Sequence, residues 1–132
     1  MIHTIEIKVR GYHVDFYGHV NNARYLEFLE EARWVAVEES MDVRDIMQNG
    51  YTFNVVNISI NYRRPAVPND VLIIETGLSE ISSRSAVIRQ TVKLKGTDNI
   101  IADADVTFVM YDIRQKKAAV LEGELLTLLK KL

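Results

Sequence analysis

One helical pattern, long and uninterrupted, precedes a run of alternating segments, and this order limits the folds open to the chain. Tyr25, Phe28, Leu29, Ala32, Val35 and Ala36 recur at i, i+3, i+4 and i+7, which makes a single apolar face over about five turns. Arg24, Glu27, Glu30, Glu31 and Glu38 fall mostly elsewhere, and no glycine or proline interrupts the stretch. After Gly50 the period changes to two. Val56, Ile58, Ile60 and Tyr62 oppose Val55, Asn57, Ser59 and Asn61, and Arg63-Arg64-Pro65 ends that strand. Strands at about 71–80, 84–95 and 100–112 follow, separated by Ser82-Ser83 and by Gly96-Thr97-Asp98-Asn99. Short connections imply antiparallel pairing. With a first strand at 4–10, where Ile5, Ile7 and Val9 alternate with Glu6, Lys8 and Arg10, the reading is one long helix and about five antiparallel strands. That is an α+β domain spanning 1–132. One helix covers only one face of such a sheet. The remaining face and edges need another partner, and a second copy of the chain is the simplest, so a homo-oligomer is expected.

The connections are legible too. Gly11 ends the first strand, and 12–20 is a loop rich in aromatic residues. Asn21 or Asn22 can cap the long helix by accepting from its first free N–H groups. A short second helix is expected after Asp42, with Val43, Ile46 and Met47 on one face and Asn49-Gly50 as the stop. Pro65, Pro68 and Asn69-Asp70 mark a loop, and Leu125, Leu126, Leu128, Leu129 and Leu132 a short terminal helix.

Several function classes lose their support. The chain has no cysteine, so thiolate metal sites, disulfides and cysteine nucleophiles are excluded. A formal charge of −2 is no footprint for nucleic acid. Polar residues break up the N-terminus too often for a signal peptide, and no apolar run has spanning length; a soluble cytoplasmic protein without membrane contact is expected. Phosphate-loop, dinucleotide and nucleophile-elbow motifs do not occur.

Chemistry concentrates where the loop meets the long helix. Asp15-Phe16-Tyr17-Gly18-His19-Val20-Asn21-Asn22 places a carboxylate just ahead of a helix start. There the backbone N–H groups are unpaired and the helix dipole is positive. A substrate carbonyl held in that position is polarised by the N–H groups while the acid attacks it or activates water. Gly18 can take angles closed to other residues or admit a ligand against the main chain. His19 can donate to a leaving group or substrate, or equally cap or pack. Tyr25 reads as core or as a ligand contact. Glu27, Glu30 and Glu31 lack the histidines that helix-borne metal sites bring, so they read as a solvated or oligomer-facing side, and no metal is expected. Arg63 and Arg64 can clamp phosphates or simply end a strand; Arg84, Arg89 and Lys93 are weaker candidates.

Asp15-x-x-Gly18-His19-Val20-Asn21-Asn22-x-x-Tyr25, continuing as Leu26-Glu27-Phe28-Leu29-Glu30-Glu31-Ala32-Arg33, resembles the signature of hotdog-fold acyl-CoA thioesterases of the 4-hydroxybenzoyl-CoA thioesterase type. Val9–His13, Asn57–Val67 and Leu121–Leu125 resemble long-chain acyl-CoA thioesterases of that family, so the likeness covers nearly the whole chain. It implies a strongly curved antiparallel sheet wrapped round the long helix, with protomers paired so that two sheets run on continuously. Active sites then lie between subunits, in a dimer at least and commonly in a dimer of dimers. It implies Asp15 as the catalytic carboxylate and the Asn22 backbone N–H as the donor to the thioester oxygen. His19 is a further catalytic candidate; Gly18, Asn21 and Tyr25, with Arg63, Arg64 and Arg84 for the coenzyme A phosphates, are substrate-binding candidates. One departure stands out: many members carry Asp-x-Asp where this chain has His13-Val14-Asp15. Carboxylates are ionised at neutral pH, so the chemistry needs no metal or redox cofactor. Two rivals remain: a hotdog hydratase or dehydratase using His13 or His19, and a non-catalytic acyl-CoA-binding module.

Overall fold

The computed structural model describes all 132 residues. In chain order it has β1 (His3–Lys8), a 3-10 turn (Gly11–His13), α1 (Asn22–Ser40), α2 (Val43–Gln48), β2 (Tyr51–Tyr62), β3 (Val71–Ile81), β4 (Ala86–Leu94), β5 (Ile100–Asp112), β6 (Lys117–Ala118) and α3 (Gly123–Leu129). No helix is long and apolar enough to cross a membrane.

The long helix forms where its periodicity placed it, and its start is chemically defined. Asn21 sits outside the helix at φ −62°, ψ 137°, and its side chain accepts from Ala23 N at 2.9 Å. Asp42 caps α2 in the same way, accepting from Arg44 N at 2.9 Å. An Asn21→Ala variant removes one satisfied amide; thermal unfolding is expected to show a loss of about 1 kcal/mol, or roughly 4 °C in a domain of this size.

All strand pairs are antiparallel, in the order β1-β3-β4-β5-β2, with β6 added to β5. β2 therefore does not pair with β3, its neighbour in sequence. The Pro-containing segment after Tyr62 instead carries the chain to the far side of the sheet, and β2 is left as an edge twelve residues long. The curved sheet wraps α1, which packs chiefly over β1 and β3, the architecture that the resemblance implied. Leu29, Leu72, Ile74, Val92, Val106 and Met110 are fully buried between helix and sheet.

Two details differ from simple alternation. A bulge between Val55 and Asn57 resets the register of β2, so Val55 lies opposite Phe108 and Ile58 opposite Val106. Val55, not Val56, thus shares the inner face with Ile58, Ile60 and Tyr62, because the extra residue inverts the pleat at that point. The second detail is polar. Gln90 of β4 is fully buried on the inner face; its Nε2 donates to Leu29 O at 3.0 Å and to Thr76 Oγ1 at 2.9 Å, and its Oε1 accepts from Arg33 Nη1 at 3.0 Å. A buried amide persists when its donors and acceptor are satisfied.

Candidate active site

The loop before α1 is a three-residue hairpin. Val14 and Val20 bridge, Asp15 N donates to His19 O at 2.9 Å, and Gly18 N donates to Asp15 O at 3.0 Å. Gly18 has φ +78°, the left-handed geometry with which such a turn closes. Within this frame Asp15 Oδ1 accepts from Tyr17 N at 2.9 Å, an Asx turn that sets the direction of the carboxylate. The half-buried Asp15 faces an open cleft of about 330 Å3.

His19, Asn22, Tyr25, Tyr62, Arg63 and Arg64 line the same cleft. Its chemistry is set by the first turn of α1. Ala23 N goes to the Asn21 side chain and Arg24 N to Asn21 O, whereas Asn22 N has no hydrogen-bond acceptor. Tyr62 OH donates to Asn22 O at 3.0 Å and so pins the neighbouring peptide. A carboxylate and one free amide at a helix N-terminus therefore share a cavity. This pairing can hold a carbonyl oxygen at the amide and present the acid to its carbon. Burial pushes the Tyr25 phenol up to about 12, so it stays a neutral wall of the cleft, 5.6 Å between ring centroids from Tyr62.

The two rim arginines are not equivalent. Arg63 donates through Nε to Asp103 Oδ2 and through Nη2 to Oδ1 at 3.3 Å, so its charge is already compensated. The Arg64 guanidinium has no such partner. Arg84 lies at the β3–β4 turn, donates to Ala118 O at 2.9 Å and does not line the cleft. Gly18 and Asn21 support the cleft rather than line it. His13 belongs to a separate groove with Arg24, Glu27 and Phe28. Its Nδ1 accepts from Arg10 N at 2.9 Å, and burial lowers its pKa, so it stays neutral. Tyr62 is the site residue that alternation hid: it reads as one more strand position, and only its reach to Asn22 gives it a role.

The Arg63–Asp103 pair makes a prediction about stability. The hydrogen bond from Arg63 holds the buried Asp103 carboxyl below its ordinary value, with Asn61 and Arg89 adding to the effect. A depressed folded pKa contributes stability that is complete above the unfolded value, about 3.9. That stability disappears as pH falls towards the folded value. Arg63→Met should therefore melt lower than wild type at pH 7, and the gap between their Tm values should narrow once the pH is taken below about 4.

Comparison with known proteins gives a consistent result. The model of the thioesterase-like superfamily matches residues 9–129. The long-chain acyl-CoA thioesterase FadM of Escherichia coli is 51% identical over 120 residues, 91% of each chain. The crystal structure of YbaW from Escherichia coli superposes with a TM-score of 0.92 at 48% identity, covering 97% of this chain and 96% of that one. A 4-hydroxybenzoyl-CoA thioesterase mutant complexed with 4-hydroxybenzoyl-CoA shares the hotdog fold, with a TM-score of 0.83 at 21% identity over 96% and 97% of the two chains.

Proposed function

The chain belongs to the thioesterase-like superfamily, and on that footing we propose that it hydrolyses long-chain fatty acyl-CoA to the free fatty acid and coenzyme A. The observation that carries this reading is the cleft shared by Asp15 and the unpaired Asn22 N–H. The thioester oxygen accepts from Asn22 N, which stabilises the negative charge that builds there as the carbonyl carbon is attacked. Asp15 either attacks that carbon or takes a proton from the water that does. In the first route an acyl–oxygen bond forms, the carbon–sulfur bond breaks, and water then hydrolyses the mixed anhydride. In both routes the thiolate of coenzyme A leaves and takes up a proton, for which His19, exposed in the same cleft, is the nearby donor. Arg64 is the freer of the two rim cations for the coenzyme A phosphates. Arg84 lies outside this cleft.

The working unit in this reading is a dimer at least, and a dimer of dimers by family habit. Support comes from β2, an open edge on which Val55 and Val56 are 45% and 58% exposed. A second β2 laid antiparallel along it continues the sheet and pairs the free backbone groups of that edge. Because coenzyme A thioesters are its substrates, the enzyme is placed in the cytoplasm.

The test is release of free thiol from palmitoyl-CoA, followed with a thiol reagent. Sustained release is expected. Tight binding without release contradicts the hydrolase, and hydration of an enoyl-CoA in its place points to a different hotdog chemistry.

A further inference from the structure

The two edges of the sheet are built differently. β1 is six residues long and carries Glu6 and Lys8, which blunts it against further pairing. β2 is twelve residues long and has neither a charge nor a proline. Its backbone makes no hydrogen bond outside the ladder with β5, so a row of N–H and C=O groups along Tyr51–Tyr62 is open. An edge this long and uncharged is shaped for another strand, and a two-fold axis through the sheet makes that strand an antiparallel β2 of a second copy.

The bulge decides the register. Directly opposed residues of a sheet point to the same face. A strand of twelve regularly alternating residues therefore cannot pair with its own copy end to end, because inward residues would oppose outward ones. β2 can, since the extra residue at Val55–Asn57 reverses the alternation half-way along. Phe53 and Val55 lie inward before the bulge, and Ile58, Ile60 and Tyr62 after it. Full overlap sets inward Tyr51, Phe53 and Val55 against inward Tyr62, Ile60 and Ile58 of the partner subunit. On the outer face it sets Thr52 and Asn54 against Asn61 and Ser59 of the partner subunit, polar pairs that suit cross-strand hydrogen bonds. A slip of one residue opposes inward to outward throughout. A slip of two shortens the ladder and sets Val55 against Val56, or Asn57 against Ile58.

We propose that two copies pair through β2 in this full-length register, and that the partner's Tyr51 thereby becomes a wall of the catalytic cleft beside Tyr62. This deepens the dimer put forward above and rests on the hydrolase reading only for what the cleft does. Cross-strand neighbours hold their Cβ atoms about 5 Å apart. Tyr62 lines the cleft, its OH donates to Asn22 O at 3.0 Å, and its ring centroid lies 5.6 Å from that of Tyr25. The partner's Tyr51 adds a second aromatic neighbour to that ring. It acts through Tyr62 on the first turn of α1, so it is a positioning residue, and neither cleft is complete in a lone chain.

The chain has no cysteine, so introduced thiols read the register directly. Asn54→Cys/Ser59→Cys should give a covalent dimer under mild oxidation, because opposed residues lie within disulfide reach. Asn54→Cys or Ser59→Cys alone should not, since identical positions then lie about 16 Å apart along the strands. Asn54→Cys/Asn57→Cys and Asn54→Cys/Asn61→Cys, which report a slip of two, should not either. Activity reads the shared cleft. Tyr51→Ala should lose about fivefold in kcat on palmitoyl-CoA at nearly unchanged KM, the scale of one aromatic pair, and Tyr51→Phe should keep wild-type turnover. Co-expressing Asp15→Asn/Asn54→Cys with Tyr51→Ala/Ser59→Cys, then oxidising, traps only mixed dimers. Their one cleft with Asp15 draws Tyr51 from the other chain, so its kcat should equal that of a wild-type cleft. Covalent dimers from a slipped pair, or from no pair, overturn the register. A mixed dimer as slow as Tyr51→Ala, or a Tyr51→Ala enzyme with wild-type kcat, removes Tyr51 from the partner's cleft. The cross-links need no turnover, so they stand apart from any failure of hydrolysis.

Discussion

Asp15→Asn should lower kcat for palmitoyl-CoA by about 10³-fold, the scale of losing a positioned acid or base, while leaving the fold unchanged. The substitution is nearly isosteric, and the amide oxygen can still accept from Tyr17 N as Oδ1 does now. The hairpin that aims the side chain therefore survives. What disappears is the negative charge, and with it both the attack on carbon and the capture of a proton from water. KM should change little, because the loss falls on a step made only in the transition state. A variant with wild-type turnover removes Asp15 from the mechanism under either route.

The second large effect is on the amide. Asn22→Pro should reduce kcat by about 10²- to 10³-fold, the cost of one oxyanion donor elsewhere, about 3 kcal/mol. Proline is suited to this position for two reasons. Asn22 is the first residue of α1, where proline is favoured because the N–H has no helical partner. Its predecessor, Asn21, already has the extended geometry, φ −62° and ψ 137°, that a following proline requires. The substitution thus deletes a single donor while circular dichroism and Tm stay close to wild type. Asn22→Ala keeps the N–H and should keep most of the activity, which separates the backbone from the side chain. If Asn22→Pro and Asn22→Ala behave alike, the donor is some other group.

Both candidates could be read in the sequence, because the physics that marks them is local. A carboxylate, a glycine and two amide caps immediately before an unbroken apolar stripe describe a helix start with an acid beside it. The stripe itself became α1, and the period-two runs became strands with nearly the predicted limits. What stayed hidden depends on residues far apart in the chain. The crossing from β2 to β3 follows from the partners of β1 and β5, not from the loop residues. The bulge at Val55–Asn57 has no local signature in a run of β-branched side chains. Gln90 occupies an inward position between Ile88 and Val92, yet its residue type argues for the surface until Arg33, Leu29 and Thr76 are seen to satisfy it. The same holds for Arg63, whose availability to a phosphate depends on Asp103 forty residues away. Tyr62 gains its role only across the gap to α1.

The most direct measurement is a crystal structure with a ketone analogue of palmitoyl-CoA, in which a methylene replaces the thioester sulfur. The ketone oxygen should lie about 3 Å from Asn22 N, with an Asp15 carboxylate oxygen facing the carbonyl carbon. A carbonyl bound elsewhere, with the residue-15 side chain directed into bulk water, contradicts the mechanism while leaving the hotdog fold in place.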